Sequence, residues 1–227
     1  MDAKRPTLLS PSNVFYDILN DLKNRFSLLF ESKSGLLAET MCRRTEKVSK
    51  NNVYMSLKEV SKDFTLSNPE LNKPVRSALA QSISENVNLI KTIPREHFDR
   101  LSERITKAVT EGNGQEDILK AVKEVGSITD RKVKNIAADQ TRKAYNAMNK
   151  ERLSNLGVKK FEWLHTGGSR EPREYHMNRY PAGLNGGVFS FDDPPVIDEK
   201  TGQKGLPGDA YNCRCRILPV VEFNNDE

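Results

Sequence analysis

After Gly157 the chain cannot continue as a helix. The segments GGSREPREYH and YPAGLNGGVFSFDDPP are too dense in glycine and proline for long helices. The stretch Val158 to His165, VKKFEWLH, mixes β-branched, aromatic and polar residues in near alternation and is expected to form a strand. The tail CRCRILPVVEF is expected to form another, with Pro219 near its end or on a sheet edge. From Ser12 to about Leu156 the apolar residues instead recur at helical spacing. The expected class is therefore α+β: a helix-rich N-terminal body followed by a small, turn-rich C-terminal α+β or β module. The expected regions are 1–74, an N-terminal helical part, 75–157, a helical body ending in a long basic helix, and 158–227, the C-terminal module.

Within the body, Ser12 or Asn13 is placed to cap a helix with Val14, Phe15, Ile18, Leu22, Phe26 and Leu29 on its apolar face. A less regular helical stretch, Leu36 to Phe64, is expected to break at Asn51-Asn52, and LSNPELNKP (Leu66 to Pro74) reads as a break. Val75, Leu79, Ile83 and Val87 then recur at fours. Thr92 as a cap and Pro94 in a first turn predict a new helix whose stripe is Phe98, Leu101, Ile105 and Val109, stopped by Gly112. A short helix from Gln115 to Val125 is expected to end at Gly126, with Ile118, Val122 and Val125 on one face. Thr129 then opens a long helix to Leu156, ended by Gly157, with Val133, Ile136, Ala137, Ala144, Ala147 and Met148 as its inner face.

The chain carries a formal charge of +5, a balance that favours anionic partners. No run of about 18 apolar residues is present, so no transmembrane helix is expected. The first fifteen residues lack the apolar core of a secretory signal, and with only three cysteines in the chain a reducing compartment is expected.

Between Thr129 and Lys160, nine basic residues against three acids give +6. Arg131, Lys132, Lys134, Arg142, Lys143, Lys150 and Arg152 are the candidates for non-specific contact with DNA phosphates, which weakens with salt. No interleaved aromatic platform for base stacking is expected among them. His176, Cys213 and Cys215 are the candidate metal ligands, a donor set suited to zinc, with a fourth position from His165, a carboxylate or water. Cys213 and Cys215, two positions apart, bridge poorly with each other, and Arg214 and Arg216 beside them would offset thiolate charge. A metal-free turn using cysteine as a small apolar residue is the competing reading. Glu162, Glu171, Glu174 and Asp192 are the acids near enough in sequence to act as a base, but no metalloprotease or nucleophile-elbow motif accompanies them. His97 is read as a surface or packing residue, and Trp163, the one tryptophan, as the anchor of the module's core.

The order IAADQTRKAYNAMNKERLSNLGVKKFEWLHTGG, REYH, GGVFSFDDPP and PGDAYNCRC resembles the phage Mu F-like minor head protein family, also called phage head morphogenesis proteins. The matching positions are Arg142, Gly157, Phe161, Trp163, Arg173, His176, Gly187, Phe189, Pro194, Pro195, Cys213, Arg214 and Cys215. The resemblance implies a non-enzymatic virion protein inside the capsid near the portal, assembled in the host cytoplasm. It implies a portal protein as partner, with scaffold or major capsid protein and double-stranded DNA as further contacts, and no membrane. Some members resemble a C-x-x-C followed by C-x-C. This chain departs from that version, with Arg173 and His176 in place of the first pair and Tyr211 where some members carry histidine. Zinc is the one candidate cofactor, and Trp163, Arg173 and Arg214 are structural positions of the motif. The alternative reading is a zinc-dependent nuclease or toxin-like domain centred on His176, Cys213 and Cys215.

Overall fold

The computed structural model describes residues 11–60, 72–111, 115–167 and 172–221. Three long helices come first: α1 (Pro11–Val60), α2 (Lys73–Thr110) and α3 (Gln115–Asn155). The module that follows contains β1 (Lys160–Leu164), one helical turn α4 (Glu174–Met177), and strands β2 (Val188–Ser190), β3 (Val196–Asp198), β4 (Gln203–Lys204) and β5 (Arg216–Val220). The architecture is α+β, as expected. Two compact units form, one from residues 1–38 and 86–134, the other from 39–85 and 135–227, so each long helix contributes to both.

Several expected breaks are absent, because each long helix has tertiary or capping support that outweighs a local breaking signal. Asn51 and Asn52 lie inside α1, where Asn52 Nδ2 donates to Tyr145 Oη at 3.3 Å. Thr92 does not cap. Its hydroxyl donates back to the Leu89 carbonyl at 2.8 Å, and α2 runs on through a buried Pro94. Gly126 and Thr129 are likewise interior to α3, and Thr129 Oγ1 meets His97 Nδ1 at 2.8 Å. Residues 61–71 and Gly112 lie outside the described residues. At the far side of that first gap, Asn72 Oδ1 accepts from the Val75 N–H at 3.1 Å and caps α2, so Pro74 sits in its first turn.

In the first unit the core is Leu19, Phe98, Leu101, Ile105 and Val125, with Ile118 against it. The expected α1 face is corrected: Ile18, Leu22, Phe26 and Leu29 are exposed, and Leu19 is the buried one. Phe26 still stacks its ring on Phe98 at 5.7 Å. The side chains of Val14, Phe15 and Val109 are outside the described residues. His97 packs edge-on against Phe98, and burial lowers its pKa.

The second unit has two cores. Cys42, Val75, Leu79, Ala144 and Met148 join α1, α2 and α3. Ala137 and Ala147 of the expected inner face of α3 are exposed instead. The larger core sets Val53, Leu57 and Leu153 against Phe161, Trp163, Leu184, Phe191, Ile197, Cys213 and Cys215 of the module. α3 ends in a Schellman turn. Gly157, at φ +81°, supplies the left-handed residue, and the Val158 and Gly157 N–H groups donate to the carbonyls of Leu153 and Ser154. Leu153 and Val158, which pack in the same core, complete that motif's apolar contact.

The turn delivers the chain into β1, the centre of an antiparallel sheet of order β2-β1-β5. Period-two alternation buries Phe161 and Trp163 while Lys160 and Leu164 face out. Pro219 lies on β5, opposite Phe161 on an edge strand, where its missing N–H is tolerated.

Arg152 also holds this unit together. It is buried, donates to Ser49 Oγ at 2.7 Å and pairs with Glu46. Burial alone depresses the Arg152 pKa, and the Glu46 carboxylate opposes that effect. Glu46→Ala should therefore destabilise the chain by about 3–5 kcal/mol in chemical denaturation, because it strands a buried cation. Adding Arg152→Met should recover most of that loss. A single substitution costing under about 1 kcal/mol would contradict the assignment.

Candidate metal centre

The site is assembled from three places in the chain. α4 carries His176, the segment before β5 carries Cys213 and Cys215, and β1 supplies Trp163 beneath them. All four side chains are buried. The Trp163 and His176 rings meet edge to face at 5.1 Å.

The PGDAYNCRC segment is irregular and is held in place by α3. Asp139, Arg142 and Asn146, at i, i+3 and i+7, share one helix face. Asp139 Oδ1 accepts from the Asn212 N–H at 2.8 Å, and Arg142 Nη2 donates to Asn212 Oδ1 at 3.3 Å. Asn146 Nδ2 donates to the Pro207 carbonyl at 2.5 Å. Asn212 sits at φ +55°, a left-handed conformation that asparagine tolerates better than most residues. Gly208 has φ +95°, and a Cβ there would lie 2.0 Å from Asn146 Nδ2. Thus Asp139, Asn146 and Asn212 are site-forming residues that sequence reasoning missed. Their signal was the helical spacing of 139, 142 and 146, hidden among charges that read as a phosphate-binding face.

The ligand atoms of His176, Cys213 and Cys215 all lie within 4.8 Å of one another. His176 Nδ1 is 3.5 Å from Cys213 Sγ, and its Nε2 is 2.8 Å from the Ile197 carbonyl. A carbonyl can only accept, so Nε2 carries a proton and Nδ1 is the nitrogen turned to the sulfurs. Histidine ligands to zinc have the same arrangement, with the second nitrogen donating to an outer acceptor. His165 Nδ1 lies 3.6 Å from Cys215 Sγ, beside the converging set of His176, Cys213 and Cys215 rather than within it. Trp163 Nε1 is buried with no hydrogen-bond partner among the described residues. Its approach to the Cys215 sulfur favours the thiolate form. Two soft sulfurs, an oriented imidazole and a spare N–H near sulfur fit a zinc ion. Among the described residues no carboxylate joins the cluster. Glu162 is half-buried on β1, Glu174 and Asp192 are exposed, and Glu171 is outside the described residues.

Without metal, the cluster shares protons unequally. The hydrogen bond from the Cys215 thiol, with help from His176, draws the Cys213 pKa down to about 4 against the opposing effect of burial. Cys215 is correspondingly raised by its bond to Cys213 and by burial. For His176, burial alone would lower the pKa, but the Cys213 sulfur and the Ile197 carbonyl outweigh it and raise it.

The other candidates are dispersed. Arg173 is exposed and donates to the Tyr211 carbonyl at 3.1 Å, while the Arg214 carbonyl accepts from Thr166 Oγ1 at 2.7 Å. Asp193 of the DDPP segment pairs with Lys204. Of the basic series, Arg131, Lys132 and Lys134 belong to the first unit and Arg142, Lys143, Lys150 and Arg152 to the second. Lys132 pairs with Glu96, Lys134 with Asp130 and Lys143 with Asp139. Arg131 donates to the Ser127 carbonyl, and Lys150 is half-buried. Arg152 is buried against Glu46 and so is withdrawn from any outer phosphate-binding face. Tyr145 lies among these charges, a correction to the expectation of no aromatic residue there.

Residues 99–218, slightly more than half of the chain, match the family described as phage Mu protein F-like. The chain belongs to the phage Mu protein F-like family. That is a family of phage head morphogenesis proteins, and it places this chain among proteins of the phage head. The Mu F-like region takes in about the last third of α2, all of α3 and the module through Leu218, including His165, His176, Cys213 and Cys215. A Haemophilus influenzae Rd protein, described as uncharacterized, is 29% identical over 139 residues, covering 61% of this chain. The chain spans only 28% of that relative's length. No solved structure matches this chain.

The cluster gives a pH dependence for the metal-free protein. Cys213 is depressed in the fold, so its contribution is present at high pH and is lost as pH falls toward about 4. His176 is raised, so its contribution is complete below its ordinary 6.5 and declines above that. Stability from the pair should therefore rise from pH about 4 to about 6.5, level off while the two slopes oppose, and rise again above the folded pKa of His176 toward the ordinary thiol value of 9.0. Thermal denaturation of the metal-free protein should show this rise, flattened in Cys213→Ser. An equal rise in both proteins would contradict the pairing.

Proposed function

We propose that this chain is a minor head protein of a tailed bacteriophage, associated with the portal inside the capsid and acting in head assembly or genome delivery. Membership of the Mu F-like family carries the reading, since the match takes in α3 and the module that α3 supports. A non-enzymatic role agrees with a cluster whose three donors are all buried, since catalytic zinc sites keep a position open to water or substrate. In this reading His176, Cys213 and Cys215 hold a structural zinc, with His165 as the fourth donor. The metal would tie the segment before β5 to α4 by neutralising the two thiolates that lie over Trp163. DNA contact is non-specific and electrostatic, made by the lysines and arginines of α3 that remain accessible. Scaffold or major capsid protein is a second assembly contact. Among the described residues no helix is long and apolar enough to cross a membrane, which agrees with assembly in the host cytoplasm.

Co-expression with the portal protein and purification of procapsids tests the role directly. The chain should co-purify with particles and bind isolated portal oligomers. Absence from both would overturn the proposal. Metal analysis should give about one zinc per chain, falling sharply in His176→Ala, and chelation should lower the melting temperature. Zinc-dependent DNA cleavage that disappears in His176→Ala would instead establish the nuclease alternative.

A further inference from the structure

A cavity of about 750 Å³ opens in the second unit; it shares Cys215 with the candidate metal cluster, but the rest of its lining has different chemistry. Its wall carries four arginines from three elements: Arg44 of α1, Arg142 of α3, Arg214 just before β5, and Arg216 at the start of β5. Among the described residues no acidic one lines it. The acids on the adjoining helices are engaged elsewhere, Glu39 with Arg43, Glu46 with Arg152, and Asp139 with Lys143 and the Asn212 N–H. The guanidinium groups of Arg44, Arg142 and Arg216 around one concavity repel one another and create a positive potential. Arg142 is also under-satisfied. Its Nη2 makes a long 3.3 Å bond to Asn212, and its buried Nε has no partner among the described residues. Such a wall is stabilised by a multiply charged anion with several acceptor oxygens. Arginine matches phosphate better than any other side chain does, because its planar fork donates two parallel hydrogen bonds.

The remainder of the lining is suited to an organic group. Tyr145, one helical turn from Arg142 on the same face of α3, contributes an aromatic ring whose hydroxyl is tethered by Asn52. Val48 adds apolar surface. The volume falls within the range that encloses a small-molecule ligand. We propose that this cavity binds a nucleoside phosphate, with the arginines on a terminal phosphate and the base against Tyr145. A terminal phosphate carries up to two charges, against one for a phosphodiester or a carboxylate, so a nucleotide or a phosphorylated strand end suits this arginine-rich wall better than internal DNA or an acidic peptide does. Of the basic series on α3, only Arg142 lines the cavity.

Isothermal titration of the full chain with dAMP, inorganic phosphate, and short single strands bearing a 5′-phosphate or a 5′-hydroxyl tests the assignment. dAMP should bind saturably with one site per chain. Arg44→Gln and Arg216→Gln, both at exposed positions, should each weaken it by about tenfold or more, as loss of a charged hydrogen bond does. Tyr145→Ala should weaken dAMP more than phosphate, and Lys200→Gln, at an exposed position outside the cavity, should leave both unchanged. Circular dichroism and melting curves confirm that the variants are folded. Preference for the 5′-phosphorylated strand over the 5′-hydroxyl strand supports the site and identifies a strand end. Equal weakness of both strands beside tight dAMP supports it and identifies a free nucleotide. Absence of saturable dAMP binding, binding unaffected by either arginine substitution, or equally tight binding of a glutamate-rich peptide would overturn it.

Discussion

The C-terminal module depends on one face of one helix. Its PGDAYNCRC segment has no regular hydrogen-bonding ladder until β5 begins, and beyond the turn from the Cys213 N–H to the Ala210 carbonyl it draws on partners from outside. Asp139 and Asn146 of α3 do this at Asn212 and Pro207, and Arg142 holds the Asn212 side chain. Asp139 is nearly inaccessible to solvent, so its charge acts at low effective dielectric and its hydrogen bond is a strong one. With Asn212 fixed in its left-handed conformation, the next residues direct Cys213 and Cys215 inward onto Trp163 and His176.

This dependence explains how a small module with so few strands supports a demanding polar cluster. Phe161 and Trp163 pack against Leu153 and the C-terminal part of α1, so the sheet rests on helices rather than on itself. The Schellman turn at Gly157 sets where β1 starts, and β1 sets the register of both its neighbours. The sulfurs then meet a histidine whose tautomer is fixed by the Ile197 carbonyl. Just outside that buried cluster, four arginines share a cavity, so cationic and thiolate chemistry lie side by side.

What the sequence disclosed follows from range of interaction. The module's position after Gly157, the strands around Trp163 and Pro219, and the stripe of Phe98, Leu101 and Ile105 all rest on local periodicity or on residues with fixed conformational preferences. The continuity of α1, α2 and α3 did not, because Asn51-Asn52, Thr92-Pro94 and Gly126 carry local stop signals that tertiary packing overrides. Ile18, Leu22 and Leu29 show that a helical apolar stripe can be exposed when the buried position, Leu19, lies one step around. In the candidate metal centre the residue types singled out His176, Cys213 and Cys215, which the fold brings together, but the roles of Asp139 and Asn146 required contact across more than 60 positions of sequence. The basic series divided for a similar reason: Arg152 and Lys132 have partners on other helices that one-dimensional charge counting cannot see.

Membership of the Mu F-like family and the geometry of α3 converge on the same residues, since the matched region contains both the anchoring helix and the segment it anchors. The central claim is that Asp139 organises that segment. Hydrogen–deuterium exchange, compared between the native chain and Asp139→Ala, tests it most directly. Exchange at the Asn212 and Cys213 amides should accelerate strongly in the variant while the Phe161 and Trp163 amides of β1 stay protected. Unchanged protection at Asn212 and Cys213 would contradict the account.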